Sequence, residues 1–352
     1  EVAGWSTLFM ARHRSIEVHA EVERGRVKPL SWMPEEWRLL SARVESVPER
    51  YEGADPMLQR LRIPPSVFKA IRQALTIGPV VLSVAHRGYV SSVRCAGCKE
   101  TARCMACGGA IALATGTDAP RCTLCGTSGW QCPWCAATNV RFQTIGVERT
   151  REELGRAFPG VPVRVVDADH PLDAMSSEPS MLFVTPGMEP EGEAALAVIL
   201  DADLMLSRHD LSASVEAFRR WSDVVATVGE GGRVLLVGSP SAPAVQALVR
   251  NDPVGFAERE FQTRRSAGLP PALHAAVVTA PHGVRVVEDV QEVMPKLTVL
   301  GPVAAGEQVR WVLLSTDRAG LTAAIRSMIV KRSAAKTLAG ISVRVDPLEL
   351  AT

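Results

Sequence analysis

All eight cysteines of this 352-residue chain lie in one stretch, residues 95–135, CAGCKETARCMACGGAIALATGTDAPRCTLCGTSGWQCPWC. They fall as four Cys-x-x-Cys pairs: Cys95/Cys98, Cys104/Cys107, Cys122/Cys125 and Cys132/Cys135. A Cys-x-x-Cys turn points two thiolates at one ion, and four thiolates at about 2.3 Å close a tetrahedral shell around Zn²⁺. Eight thiols supply two structural zinc shells with none left over. The spacers between pairs, five, fourteen and six residues long, are nearly symmetric about the centre of the stretch. That centre, GGAIALATGTDAPR, reads as a β-hairpin of two short strands around TGTD. Folding back on it sets Cys104/Cys107 beside Cys122/Cys125 for one zinc, and Cys95/Cys98 beside Cys132/Cys135 for the other. Nested pairing is therefore expected over sequential pairing of neighbours.

Other uses of these thiols fit less well. Disulfides need an oxidising compartment, and nothing else in the chain points to one. A thioredoxin-like redox site uses a single pair at a βα junction. A catalytic zinc keeps one coordination position open, whereas here every pair has a partner. The chaperone zinc domain of the DnaJ type repeats Cys-x-x-Cys-x-Gly-x-Gly, a pattern that CAGCKETA and CPWCAATN break.

The rest of the chain must hold this stretch. Apolar residues make up 47% and charged residues 22%, which describes a globular chain with a real core, and its length suits two or three domains. No run of eighteen apolar residues suggests a membrane span. EVAGWSTLFMARH lacks the basic and apolar regions of a secretion signal and opens without Met, so the expectation is a cytoplasmic C-terminal portion of something longer. The net charge of +1 conceals an acidic middle: residues 142–258 hold 18 acidic against 9 basic side chains, and residues 91–141 hold 2 against 5. A surface for polyanions is therefore expected on the cysteine-rich stretch or the two ends.

Around the cysteines, a helix starting at Pro64 and Pro65 leads into an apolar strand over Val80–Ala85. After them come a strand in NVRFQTIG, a helix in VERTREELGRAF, and apolar strands in VPVRVVDAD, SMLFVT, ALAVILDAD and GRVLLVG. A long helix, SASVEAFRRWSDVVATV, separates the last two. Continuous apolar strands alternating with helices indicate an α/β domain with a mostly parallel sheet covered on both faces, here over 1–90 and 140–252, with 91–139 inserted. Residues 253–352 read as a helix followed by βαββαβ, the α+β ferredoxin-like pattern. The seven histidines are scattered, and Asp201 and Asp203 are expected to cap a turn at a strand end.

Several segments resemble the PriA family of primosomal replication-restart helicases. SVAHRGYVSSVRCAGC is similar to the family's strand running into its cysteine-rich region. GVERTREELGRAFPGVPVRVVDAD, VILDADLMLSRHDLSASVEAFRRWSDV, RRSAGLPPALHAAVV, VLGPV and VRVDPLEL follow in the family's order. The resemblance covers essentially the whole chain. It implies that the α/β part is the second helicase lobe and that residues 253–352 form a C-terminal DNA- and partner-binding domain. It implies the nested zinc pairing as well. The implied partners are forked or single-stranded DNA, the single-strand-binding protein, primosome components and the replicative helicase system.

Where the chain departs from that pattern, the departures bear on catalysis. The loop in SMLFVTPGMEPEGEAAL lacks the family's lysine and carries Glu189, Glu191 and Glu193 instead. DVVATVGEGGR stands where active members carry paired arginines that reach the γ-phosphate, and losing such an arginine costs about 10³–10⁵ in rate. No Gly-x-x-x-x-Gly-Lys-Ser/Thr loop occurs in these residues. The expectation is thus no catalytic residue, ATP not hydrolysed, and a nucleoid-associated scaffold. The alternatives are an active ATP-dependent helicase whose ATPase lobe lies upstream, and a zinc-ribbon interaction module on a nucleotide-metabolism enzyme. Candidate DNA contacts are Arg87, Arg94, Lys99, Arg103, Arg121, Trp130, Trp134, Arg264 and Arg265, with the tryptophans offered for base stacking. By the resemblance, Arg318 is the partner-binding candidate. Metal analysis of the purified chain is expected to return two zinc ions per molecule; any other stoichiometry, or thiols found oxidised to one another, refutes the two-shell reading.

Overall fold

The computed structural model describes residues 8, 11, 13–29, 42–48, 63–84, 92–98, 100, 102–106, 111–112, 119–122, 127–143, 147–206, 208, 210–305, 308–347 and 350. The chain divides into two compact units. One comprises residues 1–13, 31–209 and 213–252, and the other residues 14–30, 210–212 and 253–352. The first described helix, α1 (Ile16–Glu23), belongs to the second unit although the sequence places it with the α/β part. His19 of α1 meets the Phe261 ring edge-on at 5.6 Å, and Arg24 donates to the Pro271 carbonyl at 2.7 Å. Contacts spanning some 240 residues leave no local trace in the sequence.

The first unit is built on six parallel strands. In chain order they are β1 (Arg43–Val47), β2 (Val80–Ser83), β7 (Val163–Val166), β8 (Met181–Val184), β9 (Leu196–Ile199) and β10 (Arg233–Val237), arranged β1-β10-β9-β2-β8-β7. Every residue of β2, β8 and β9 is buried, as uninterrupted apolar runs between covering layers should be. Helix α2 (Pro65–Ala74) opens with proline where a missing N–H costs nothing, and buries Val67, Ala70, Ile71 and Ala74 at helical spacing. Helix α3 (Val147–Ala157) adds Leu154, with Phe158 just beyond its end, to the same core. Three more helices follow, α4 (Ala202–Leu206), α5 (Ala213–Val225) and α6 (Pro243–Val249), and α5 buries Phe218 and Trp221. Asp203 accepts from the Ser239 backbone N–H at 2.8 Å, which ties α4 to the turn after β10; its role is structural.

One sequence expectation is corrected here. The strand in NVRFQTIG is not part of the parallel sheet. Strand β6 (Val140–Gln143) pairs antiparallel with β3 (Ser92–Cys95), Ser92 opposite Gln143 and Cys95 opposite Val140. A four-residue run such as VRFQ carries no direction by periodicity, so only its partner decides its sheet.

The second unit holds α7 (Pro253–Ser266), β11 (His274–Pro281), α8 (Val286–Val293), β12 (Thr298–Ala305), β13 (Gln308–Ser315), α9 (Arg318–Ala334) and β14 (Ser342–Val345). Its antiparallel sheet runs β12-β13-β11-β14, the order expected of βαββαβ. The inward faces of β11 and β13 pack on Val286 and Val290 of α8 and on Leu321, Ala324, Ile325 and Met328 of α9. Asp346 closes the unit: its backbone N–H donates to the Ala275 carbonyl at 2.7 Å, and its carboxylate accepts from the Ala275 N–H at 3.0 Å. No described helix is long and apolar enough to cross a membrane.

Asp289 of α8 joins that helix to α9, accepting from Lys331 Nζ at 2.8 Å and from Arg332 Nε at 2.6 Å. Burial pushes its carboxyl pKa up, but the bonds from Lys331 and Arg332 outweigh that and hold it below the ordinary value. A depressed carboxylate stabilises the fold at pH above its unfolded pKa and loses that contribution as pH falls through its folded pKa. Asp289→Asn is therefore expected to cost roughly 1–3 kcal/mol at neutral pH. Thermal unfolding should show the gap between variant and parent closing on acidification; a gap constant from neutral to strongly acid pH contradicts this.

Candidate metal centre

The stem formed by β3 and β6 places the first and last cysteine pairs together. Cys95 ends β3 opposite Val140, and the Ala96 N–H donates to the Asn139 carbonyl at 2.9 Å, pinning the first turn to the chain that leaves the last one. Each turn is closed by its own backbone. Cys95 N–H reaches the Glu100 carbonyl at 2.8 Å, and Cys132 N–H reaches the Ala137 carbonyl at 2.9 Å, with Ala136 in the left-handed region at φ 58°. The sulfurs of Cys95, Cys98, Cys132 and Cys135 all lie within 4.8 Å of one another. Cys95 Sγ stands 3.4 Å from Cys135 Sγ, and Cys98 Sγ 3.5 Å from Cys132 Sγ.

These distances are far from a disulfide bond of about 2.05 Å. They approach the sulfur spacing of about 3.8 Å that four bonds of 2.3 Å in a tetrahedron require. The electrostatics agree. Burial pushes the Cys95 thiol up, but the Cys98 backbone N–H, the Cys135 thiol, the Gly97 N–H and the Cys132 thiol together pull it down to about 7. At Cys98 the Glu100 backbone favours the thiolate, yet burial and the sulfurs of Cys132, Cys135 and Cys95 drive it up to about 12. Four sulfurs so close cannot all ionise unless a cation sits among them. The donor set is therefore suited to a metal ion, and soft thiolates in tetrahedral array favour zinc.

The second shell is only partly described. Strands β4 (Ile111–Ala112) and β5 (Arg121–Cys122) form the expected hairpin, Ile111 opposite Cys122. Cys104 and Cys122 are both buried in the ribbon core with Val93, Ala102, Ile111 and Trp130. Cys107 and Cys125 lie outside the described residues, so the grouping of these four stays an expectation.

The candidate DNA contacts separate by environment. Arg87 and Lys99 lie outside the described residues; Arg94 is half-buried on β3; Arg103 and Arg121 are exposed. Trp134 is 77% exposed, whereas Trp130 is buried and its indole N–H donates to the Arg103 carbonyl at 2.7 Å. The Trp130 ring is thus part of the ribbon's own core. Arg264 is also buried, pairing with Glu260 at 3.1 Å and donating to the Leu211 carbonyl at 2.8 Å and the Pro270 carbonyl at 3.2 Å. It locks the end of α7 instead of facing a ligand. Arg265, one residue on, is exposed and lies over the Phe261 ring. Arg318 is exposed and bonds Asp346 at 3.0 Å. The parts that sequence reasoning missed are Asp346 and the Asp289–Lys331–Arg332 link; nothing local in the sequence marked their partners.

Comparison with known proteins bears on this arrangement. Residues 265–348 match the family described as Primosomal protein N C-terminal domain. The chain is 34% identical over 365 residues to the probable replication restart protein PriA of Mycobacterium leprae, an alignment covering 96% of this chain and 56% of that protein. The chain is a homologue of the PriA replication restart proteins. It is 38% identical over 281 residues to the Mycobacterium bovis protein of the same name, covering 77% of this chain and 43% of that protein. The Bacillus subtilis replication restart protein PriA is 26% identical over 222 residues, 57% of this chain and 28% of that protein. The chain thus spans about half the length of the mycobacterial relatives it matches.

Gly97 tests the fit of the first shell. A Cβ there would stand 3.1 Å from Cys135 Sγ and 3.2 Å from the Ala137 Cβ. Gly97→Ala is expected to weaken metal retention against a chelator while keeping all ligands, and Cys132→Ser to remove one metal equivalent outright. Unchanged metal content in Cys132→Ser refutes the assignment of this centre.

Proposed function

We propose that this chain is the DNA-engaging portion of a replication-restart primosome protein. It binds stalled or forked DNA, helps assemble the primosome and load the replicative helicase, and has no helicase activity of its own. The observation that carries the reading is the four-sulfur centre at the base of the ribbon, in a chain homologous to replication restart proteins over nearly its whole length. In this reading the parallel-sheet unit is the second helicase lobe and residues 253–352 engage DNA and partners. Zinc in both cysteine shells serves as a structural brace, stiffening a ribbon too small to be held by apolar burial. The exposed Arg103, Arg121, Trp134 and Arg265 are its DNA contacts, with Arg318 at a partner surface. The partners are forked or single-stranded DNA, the single-strand-binding protein and other primosome components, in the cytoplasm at the nucleoid.

The loop after β8 supports the absence of ATP turnover. Glu189 turns its carboxylate onto the Gly187 backbone N–H at 2.9 Å. Gly187, at φ 97° and without a side chain, leaves room for the Arg220 guanidinium, which a Cβ there would overlap. Arg219 and Arg220 are both held by Glu216 through charge-assisted bonds at 2.6–2.8 Å. The anion-binding groups of this region are already matched to the chain's own carboxylates. A second reading, an active ATP-dependent helicase with its ATPase lobe upstream, is favoured by the span of the chain, about half of its mycobacterial relatives.

ATP hydrolysis by the whole protein, with and without forked DNA, separates the two. The expected result is fork binding at fixed salt, weakened by chelation, with no DNA-stimulated hydrolysis. A robust stimulated rate establishes the second reading, and indifference between fork and plain duplex overturns the restart role.

A further inference from the structure

The ribbon contains a cavity of 290 Å³ whose wall includes two of its cysteines, Cys104 and Cys132. Met105, Ile111, Trp130 and Pro133 supply its apolar lining, and Thr127 and Ser128 its polar one. The Trp130 ring is fixed in advance by burial and by its bond to the Arg103 carbonyl. A flat apolar wall held in place before a ligand arrives needs no ordering on binding. Met105 is 71% exposed, an adaptable thioether left in water beside that wall. Ligand clefts begin at about 300 Å³, so the space suits one ring system and not a longer molecule.

Charge selects the occupant. The backbone carbonyl of Arg103 accepts from the Trp130 indole and the Arg121 backbone pairs with that of Ser128, so both arginines are anchored beside the cavity by their main chain, with exposed side chains. Residues 91–141 carry 5 basic against 2 acidic side chains. An apolar peptide side chain fills the cavity but leaves the arginines unused, whereas a strand of phosphates bearing flat rings uses both. We propose that this cavity takes one unpaired nucleobase of single-stranded DNA, with Arg103 and Arg121 meeting the flanking phosphates. This rests on the DNA-binding reading above and narrows it to one site.

The test compares binding of the metal-loaded chain to a single-stranded oligonucleotide and to an abasic chain of equal length, by fluorescence anisotropy across a salt series. One stacked base is worth about 5- to 150-fold in affinity, so the parent is expected to prefer the base-bearing chain by that factor. Ser128→Trp, at an exposed lining position outside every Cys-x-x-Cys turn, should fill the cavity and abolish the preference without changing metal content or the slope of affinity against salt. Arg103→Ala should instead lower that slope by about one while keeping a preference. Equal binding of the two oligonucleotides by the parent, or a preference that survives Ser128→Trp, overturns the pocket alone. Failure of the parent to bind either oligonucleotide overturns the DNA-binding reading with it.

Discussion

The convergence of four sulfurs on one point is the constraint on which the ribbon depends. Cys95, Cys98, Cys132 and Cys135 are brought within 4.8 Å by backbone hydrogen bonds that fix both turns. The same closeness that drives Cys98 up to about 12 makes the cluster a poor set of anions and a good set of ligands. Among the described residues, little else holds the ribbon together. Its hairpin strands are two residues long and its core is a handful of side chains around Trp130. A body of about forty residues rarely stands on such burial without a metal or crosslinks.

Elsewhere the chain is held by ordinary means. The parallel sheet is stabilised by fully buried aliphatic strands, and the antiparallel sheet by α8 and α9 packed on it and the Asp289 link between them. Neither needs a special site. Outside the ribbon, Asp203 secures a turn, Arg264 binds carbonyls, and Arg219 and Arg220 bind Glu216.

What the sequence disclosed follows from the range of the forces involved. The cysteine pairs were legible because thiol spacing alone encodes a turn, and β2, β8 and β9 because continuous apolar runs have one stable use. The strand VRFQ was misplaced because four residues do not say which partner they have. Trp130 and Trp134 were equivalent by composition, yet one is buried and the other 77% exposed, a difference set by residues over twenty positions away. Arg264 and Arg265 are adjacent, but a helix turns about 100° per residue, so one faces carbonyls and the other solvent. The docking of α1 beside Phe261 was illegible for the same reason, since its partner lies 242 residues away.

Strands β3 and β6 run side by side, so the chain departs into the ribbon and returns at neighbouring points, Ser92 facing Gln143 across a spacing of about 5 Å. Everything between them is topologically a detour. Such an attachment lets natural history lengthen, trim or exchange the loop's contents as a cassette, because the surrounding fold senses only the gap between two adjacent ends.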